Sequence, residues 1–578
     1  MADYDARVQA QLRHSGRWST PVLAILLLGV ALWPLRQALV TNAVPGAGPD
    51  VVSTFWGMWW FQQEWASGAW SGWTGLVNHP HGAFGTVLSP SSAVSWALLE
   101  PIAGAARAAS LTAALQLWAF SLATGWLAGV AGADRWGQVA AALSVFVGRY
   151  LIFGLGEGSI VAVAALPIPL GLGAIILTLH GERRRLAALA GAACIAWTAL
   201  ENPYLAPVLP GLAGLAWVRE LLRARGPRGD RRRWARLTGL LVLGTLGVLG
   251  IAEIFGRSAS PDYPREVAGQ TVTWLGQRWD VVDLPWARAT PSEWWQPGAV
   301  RWTTDATAGV SAGGGRTLGL GVWLLAGIAL ISRTRASLAP WGLALVGLAL
   351  SVGSLLGQMA APFLVLNGVM DAIARPLTQP TRFLILPVVG LAVCAGLGVT
   401  GLRARLGAAA GLAGPVMGGL LLAESLWIGG LSLALPTTPL APLPCAADLK
   451  QRALDAPEEH GVLFWPWDAQ DGEPGLAQLL QVRHGLPAPH RGIASWMLHE
   501  GPVIAELRTA GLANRPTPRR LKRGLLRGLG YRWLLVDTAS DPKGARWVAR
   551  QLRAEPEVCG ELALYDLSRS AALTPDPE

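Results

Sequence analysis

The chain has 578 residues, 52% of them hydrophobic and only 15% charged, with a formal net charge of +10. A soluble domain carries about 25% charged residues, so this composition excludes an ordinary water-soluble enzyme and requires much of the apolar surface to face lipid. The basic excess is no nucleic-acid footprint: from residue 436 onward there are 17 basic and 17 acidic residues, and the whole excess belongs to the apolar part, as orientation charge beside anionic lipid.

A polar arm, residues 1–19, carries Arg7, Arg13 and Arg17. The apolar block after it, Pro21 to Val40, is too long for the core of a cleavable signal peptide and lacks a small-residue cleavage site, so it reads as the first membrane span. A helix needs about 20 apolar residues to cross a bilayer, and on that basis eleven spans are predicted: 20–41, 110–131, 137–153, 159–179, 186–200, 204–222, 237–256, 317–333, 337–357, 382–402 and 406–435. Trp56, Trp59, Trp60, Trp294 and Trp295 stand at the ends of apolar blocks, where an amphipathic ring suits the headgroup region. Ala93 to Ala106 is also apolar. It reads as an interfacial or re-entrant helix, because crossing there would invert every later loop.

With the N-terminus in the cytoplasm, segments 1–19, 132–136, 180–185, 219–237, 333–337 and 403–405 face inward and hold 19 Arg and 6 acidic residues, against 11 Arg and 14 acidic in the rest of the chain before 436. That is the asymmetry of the positive-inside rule. It places three long loops, 42–109, 257–316 and 358–381, on the outer side together with the tail.

The tail, 436–578, follows the proline-rich linker Pro436 to Pro444. Strands are predicted at Gly461–Trp467, Tyr531–Asp537 and Glu561–Leu567, and helices at Leu521–Leu529 and Lys543–Arg553, which makes a small α/β domain. Of the four cysteines, Cys194 and Cys394 lie in apolar blocks; Cys445 and Cys559 lie in the tail and can pair if it faces an oxidising compartment.

No Walker-type phosphate loop, zinc spacing or nucleophile-elbow serine is present. Gly313, Gly314 and Gly315 precede a span without a strand before them and read as a flexible loop. The first outer loop opens Pro45-Gly46-Ala47-Gly48-Pro49-Asp50-Val51-Val52-Ser53-Thr54-Phe55-Trp56. A carboxylate just outside a span can serve as a general base or hold a metal for a lipid-borne substrate. Asp50 equally suits the N-cap of a helix starting at Val51, and the two roles are compatible. Glu424 lies inside the last span, where an ionisable group faces protein or water; packing beside Ser425 and nearby glycines is favoured over an ion path.

The segment around Asp50 resembles the first-loop signature of bacterial membrane proteins of the glycosyltransferase C (GT-C) superfamily, with the acid displaced by one position and Ser53 where Asn is common. Asn78-His79-Pro80-His81-Gly82 resembles their Tyr-Pro-His-Gly turn. Gly148-Arg149-Tyr150 with Glu157, and Glu201-Asn202-Pro203-Tyr204, fall at the positions of their outer turns. Arg375-Pro376-Leu377-Thr378-Gln379-Pro380-Thr381-Arg382-Phe383 resembles a late arginine-proline element, and Gly528 to Val536 with Leu564 to Leu567 resembles their terminal domain.

The resemblance implies an α-helical, GT-C-like protein of a bacterial inner membrane that transfers a sugar from a polyprenyl-phosphate donor at the outer face, with membrane lipid and lipid-linked sugar as partners. It implies Asp50 as catalytic base or metal-binding acid, with a divalent cation (Mg or Mn) as a candidate cofactor. Arg149 and Arg382 become candidates for the donor phosphate, their alternative being headgroup snorkelling or pairing with Glu157 or Glu201. His79 and His81 line the acceptor side, bind a metal or simply form a turn, and Glu157, Glu201 and Asn202 are expected to line the cavity. Two rival readings stand beside the transferase: a non-catalytic scaffold or glycan-handling protein of the same fold, and a transporter or flippase.

Overall fold

The computed structural model describes residues 21–47, 49–68, 73–74, 83–84, 89–160, 163–180, 184–224, 231–258, 269–274, 277–282, 289–296, 300, 315–353, 361–373, 379–440, 443–454, 461–465, 474–488, 523–539 and 541–568. The chain divides into two compact units. One comprises Met1–Ala47, Leu88–Gly256 and Pro264–Thr438, and the other Gly48–Val87, Arg257–Tyr263 and Pro439–Glu578.

The first is a helical membrane unit. All eleven predicted spans fall wholly or largely on helices. Among the described residues, six helices are long and apolar enough to cross a membrane: Leu23–Thr41, Ala105–Val130, Pro203–Leu222, Arg231–Ile251, Pro380–Arg405 and Ala410–Ser432. A bent pair, Arg135–Val147 with Tyr150–Gly156, makes a seventh, and Pro167–His180, Leu320–Ser332 and Arg335–Ser351 are shorter apolar helices. The helix Ile385–Arg405 is the hub, buried from Ile385 to Gly401 and packed against Leu320–Ser332, Thr334–Ser351 and Arg135–Val147. Lipid tails give helices no hydrophobic reason to associate, so close van der Waals packing through small residues has to hold such a hub. Gly396 shows it: a Cβ there would lie 2.5 Å from the Gly137 carbonyl oxygen. By contrast Val242, Leu243, Leu246 and Leu249 on the Arg231–Ser258 helix are exposed, as a lipid-facing surface must be.

The ends of these helices carry different chemistry. At one end Asp134 caps the Arg135–Val147 helix through Gly137 N at 2.8 Å, accepts from Thr400 Oγ1 and pairs with Arg403. Segments 132–136 and 403–405, both predicted to face inward, are thereby joined. The other end carries Arg149 and Arg382.

The apolar stretch Ala93–Ala106 is no single helix. Pro90–Ala103 ends at Gly104, which has φ +79°, and the chain folds back into Ala105–Val130, with Trp96 Nε1 donating to the Ala105 carbonyl at 3.0 Å. Fourteen residues at about 1.5 Å each reach roughly 21 Å, short of the hydrocarbon core. Two other long loops hold elements that hydropathy did not indicate: a hairpin, Gly269–Trp274 with Gln277–Val282, and the helix Ala361–Ile373.

The second unit contains the tail domain. Its four strands run in the order Gly461–Trp465, Tyr531–Asp537, Leu562–Asp566, Glu557–Cys559; the first pair is parallel and the other two antiparallel. Alternation along Tyr531–Asp537 sends Leu534 and Val536 to one face, against Trp547, Val548 and Leu552 of the helix Pro542–Leu552. Trp533 and Leu535 go to the other face, with Leu449 and Leu480 of the helices Ala446–Leu454 and Pro474–His484. Cys445 and Cys559 are joined by a disulfide, with their Cα atoms 5.6 Å apart. The first-loop helix, Pro49–Ser67, belongs to this unit and packs on Pro474–His484.

Candidate functional site

The membrane unit builds a polar cluster where the helix Arg135–Val147 breaks before Tyr150–Gly156, with a bend of 40°. The break lies at Gly148 and Arg149. Arg149 N donates to the Thr317 carbonyl and Arg149 Nε to the Ile428 carbonyl, both at 2.8 Å. This buried arginine therefore stitches the kink to two other segments, which is a scaffold duty. Beside it, Gly315 lies so close to Phe153 that a Cβ would meet the ring at 2.5 Å. The end of the glycine run is thus a packing position and not the flexible loop expected; Gly313 and Gly314 lie outside the described residues.

Tyr150, next in sequence and buried, is the point on which charge converges. Arg382, Glu157 and Arg316 lie within electrostatic reach of its hydroxyl. Arg382 sits in the last turn of the 3-10 helix Pro380–Leu384 that leads into Ile385–Arg405. Its Nε donates to Gln379 Oε1 and its Nη1 to Ser159 Oγ, each at 2.8 Å. Arg316 enters from the segment before Leu320–Ser332, is only 7% exposed, and pairs with Glu293 at 3.5 Å. Two guanidiniums on separate elements, a phenol and a serine hydroxyl form an arrangement suited to an anionic group, since planar guanidinium forks match phosphate and carboxylate oxygens.

Of the residues singled out from sequence, Glu157 and Arg382 lie within electrostatic reach of Tyr150, and Arg149 precedes it at the break, its Nε held by the Ile428 carbonyl. Glu201 and Asn202 do different work. The Glu201 carboxylate, 1% exposed, accepts from Ser89 Oγ at 2.7 Å, Ser91 N at 2.9 Å and Trp197 Nε1 at 2.7 Å. It thereby anchors the start of the Pro90–Ala103 helix, where Ser89 has φ +60°. Asn202 caps the 3-10 helix Pro203–Leu205 by accepting from Tyr204 N, and that turn packs on Pro380–Leu384. Sequence reasoning missed Ser159, Glu293, Arg316 and Gln379. A lone arginine directly before an apolar span was the one available signal, and only for Arg316.

Glu424 is also a structural acid. Both its oxygens accept from Gly321 N, at 3.1 and 3.0 Å, capping the helix Leu320–Ser332. A carboxylate in that position complements the positive end of the helix dipole, which accounts for its place in a span without an ion path.

In the second unit Asp50 is exposed and is the second residue of the helix Pro49–Ser67, inside its first turn. The expected N-cap position therefore moves by at least one residue, because Pro49 occupies the helix start, where its missing N–H costs nothing. Farther along, Trp56 Nε1 donates to Gln481 Oε1 at 2.6 Å, and Trp56 stacks on Trp60 with centroids 6.1 Å apart. Burial pushes the Glu64 carboxyl above the usual range, partly offset by the neighbouring Trp60 indole. His79 and His81 lie outside the described residues. Among the described residues no three His, Cys, Asp or Glu side chains gather in a way that would hold a metal ion.

No protein-family model matches the sequence, and no curated protein does. Among solved structures the chain is similar to the arabinofuranosyltransferase AftD from Mycobacteria, with a TM-score of 0.52 and 14% identity over 96% of this chain and 40% of that one. A mutant form of AftD gives 0.51 and 15% over 96% and 42%. ArnT from Cupriavidus metallidurans in the apo state gives 0.46 and 12% over 93% and 97%. The chain thus spans about 40% of the length of AftD. At these identities the likeness concerns the fold alone, that of a multi-pass helical membrane protein with a small C-terminal α/β domain.

Proposed function

We propose that this chain is a glycosyltransferase that moves a sugar from a polyprenyl-phosphate donor to an acceptor of the cell envelope, at the outer face of a bacterial inner membrane. The observation that carries the reading is the half-buried Arg382, held by Gln379 and Ser159 at 2.8 Å and, with Arg316, within electrostatic reach of Tyr150, in a fold similar to that of an arabinofuranosyltransferase. In the reaction an acceptor hydroxyl oxygen forms a bond to the anomeric carbon. The bond from that carbon to the phosphate oxygen breaks, and polyprenyl phosphate departs with the electron pair. The proton of the hydroxyl goes to Asp50, the exposed carboxylate of the first-loop helix. Charge developing on the leaving phosphate is met by Arg382, with Arg149 the further candidate that the family resemblance offers. The lipid tail stays in the bilayer throughout.

The outer location is supported by the Cys445–Cys559 disulfide, since such bonds persist in oxidising compartments, and by the arginine-rich segments assigned to the cytoplasm. The purified full chain, reconstituted with a panel of polyprenyl-phosphate sugars in the presence of Mg²⁺, Mn²⁺ or a chelator, is expected to release polyprenyl phosphate. Arg382→Ala is expected to slow release by about 100-fold, as for loss of one charge-stabilising donor. A second reading, a lipid-linked glycan handler without catalysis, is favoured by the scaffold bonds of Arg149 and Glu201. It predicts donor binding without release.

A further inference from the structure

We infer that Glu293 is a positioning residue for Arg316, holding a second guanidinium ready for the phosphate of a lipid-linked substrate. The inference rests on the phosphate-site reading above and extends it to two residues that no motif indicated. Glu293 is the last but one residue of the 3-10 helix Pro291–Trp294. It is fixed before any ligand arrives: its Oε2 accepts from Thr290 N at 2.7 Å, one half of a capping box. The segment itself is clamped, because Ala289 N donates to the Ser351 carbonyl at 2.9 Å and Leu318 N to the Trp294 carbonyl at 3.0 Å. Glu293 therefore presents its carboxylate from a rigid support.

The same Oε2 accepts from Arg316 Nη1 at 3.5 Å, with both side chains largely buried. A guanidinium has five N–H donors, and a bond at that length is weak. It can orient Arg316 without outcompeting a phosphate oxygen, which forms a shorter charge-assisted bond. The electrostatic need is plain. Arg316 and Arg382 are both within electrostatic reach of one phenol, and like charges repel. The Glu293 carboxylate paired with Arg316 offsets that repulsion when no anion is bound.

The test uses the full chain in nanodiscs of phosphatidylcholine, with undecaprenyl phosphate and inorganic phosphate as separate probes, and melting curves to confirm folding. Arg316→Ala is expected to weaken undecaprenyl phosphate binding by about tenfold or more, and Glu293→Gln by about three- to tenfold. Glu293→Asp should retain most of the affinity. In the Arg316→Ala background Glu293→Gln should add nothing, which a general loss of packing would not produce. If transfer is observed, Glu293→Gln raises the KM for the donor and leaves kcat within about twofold.

Wild-type affinity for Glu293→Gln, or additive losses in the double variant, would overturn the inference while leaving the transferase reading intact. Lipid binding that follows this pattern in a protein without transfer supports the inference and removes the transferase reading. Inorganic phosphate bound as tightly as the lipid overturns the lipid assignment. No binding of the lipid by the wild type overturns both.

Discussion

The indole Nε1 of Trp56 donates a 2.6 Å hydrogen bond to Oε1 of Gln481, a residue 425 positions later, and Gln481 Nε2 in turn donates to the Leu486 carbonyl at 2.9 Å. Both partners are buried within one compact unit. The contact fixes a parity. A first-loop helix and a tail helix that touch lie on the same side of the membrane, so the chain between Ser67 and Pro474 crosses it an even number of times. Ten of the predicted spans lie in that interval. Counting Ala93 to Ala106 as another would give an odd number, and its fold-back at Gly104 removes the need.

Trp56→Phe leaves the Gln481 oxygen buried without its donor and is expected to cost about 1–3 kcal/mol. Combining it with Gln481→Leu should cost less than the sum of the single changes, because each removes the other's unpaired atom. Denaturant melts of the purified full chain measure both. Strict additivity would contradict the coupling.

Protein taken from the envelope without reduction should yield a linked Cys445–Cys559 peptide, while Cys194 and Cys394 remain thiols. Cys445→Ser should destabilise the tail by about 2–5 kcal/mol, and the double serine variant should be no worse. Alkylation of all four cysteines in unreduced, denatured protein would place the tail in a reducing compartment.

Glu201 anchors a helix, and Glu201→Ala should therefore act on stability. Three donors lose a charged acceptor, a loss of about 3 kcal/mol or more. Transfer per folded molecule should change little. A folded, equally stable variant with no transfer would return Glu201 to the cavity.

The raised Glu64 carboxyl sets a pH dependence. Burial favours its neutral form in the folded protein, so the native state binds a proton that the unfolded chain releases at lower pH. Stability from this group is present in acid and is lost as pH rises from the ordinary carboxylate range through the higher folded value. Glu64→Gln should melt above the wild type at pH 7 and together with it at pH 4. An unchanged difference across that range would show that Glu64 does not titrate this way.

The legible parts of the molecule were those whose signal is local. Apolar blocks located the spanning helices, and the two-residue alternation of Tyr531 to Asp537 located the central tail strand within its own bounds. Motif resemblance pointed at Glu157 and Arg382, which lie within electrostatic reach of Tyr150, and gave no sign of Arg316. What stayed hidden depends on partners far apart in the chain: Ser89 and Glu201 at 112 positions, Ser159 and Arg382 at 223, Trp56 and Gln481 at 425. Periodicity carries no information about which distant backbone will be brought near. Arg149 illustrates the limit, since nothing near it in sequence announces that its Nε is held by the carbonyl of Ile428.

The most direct test of the account is release of polyprenyl phosphate by the purified wild type and by Asp50→Ala, side by side, with each polyprenyl-phosphate sugar and an envelope extract as acceptor. Release by the wild type is expected, with a loss of about 100-fold or more in the variant, the contribution expected of a general base, and melting curves confirm that both are folded. Equal release by the two proteins, or none by either, would contradict it.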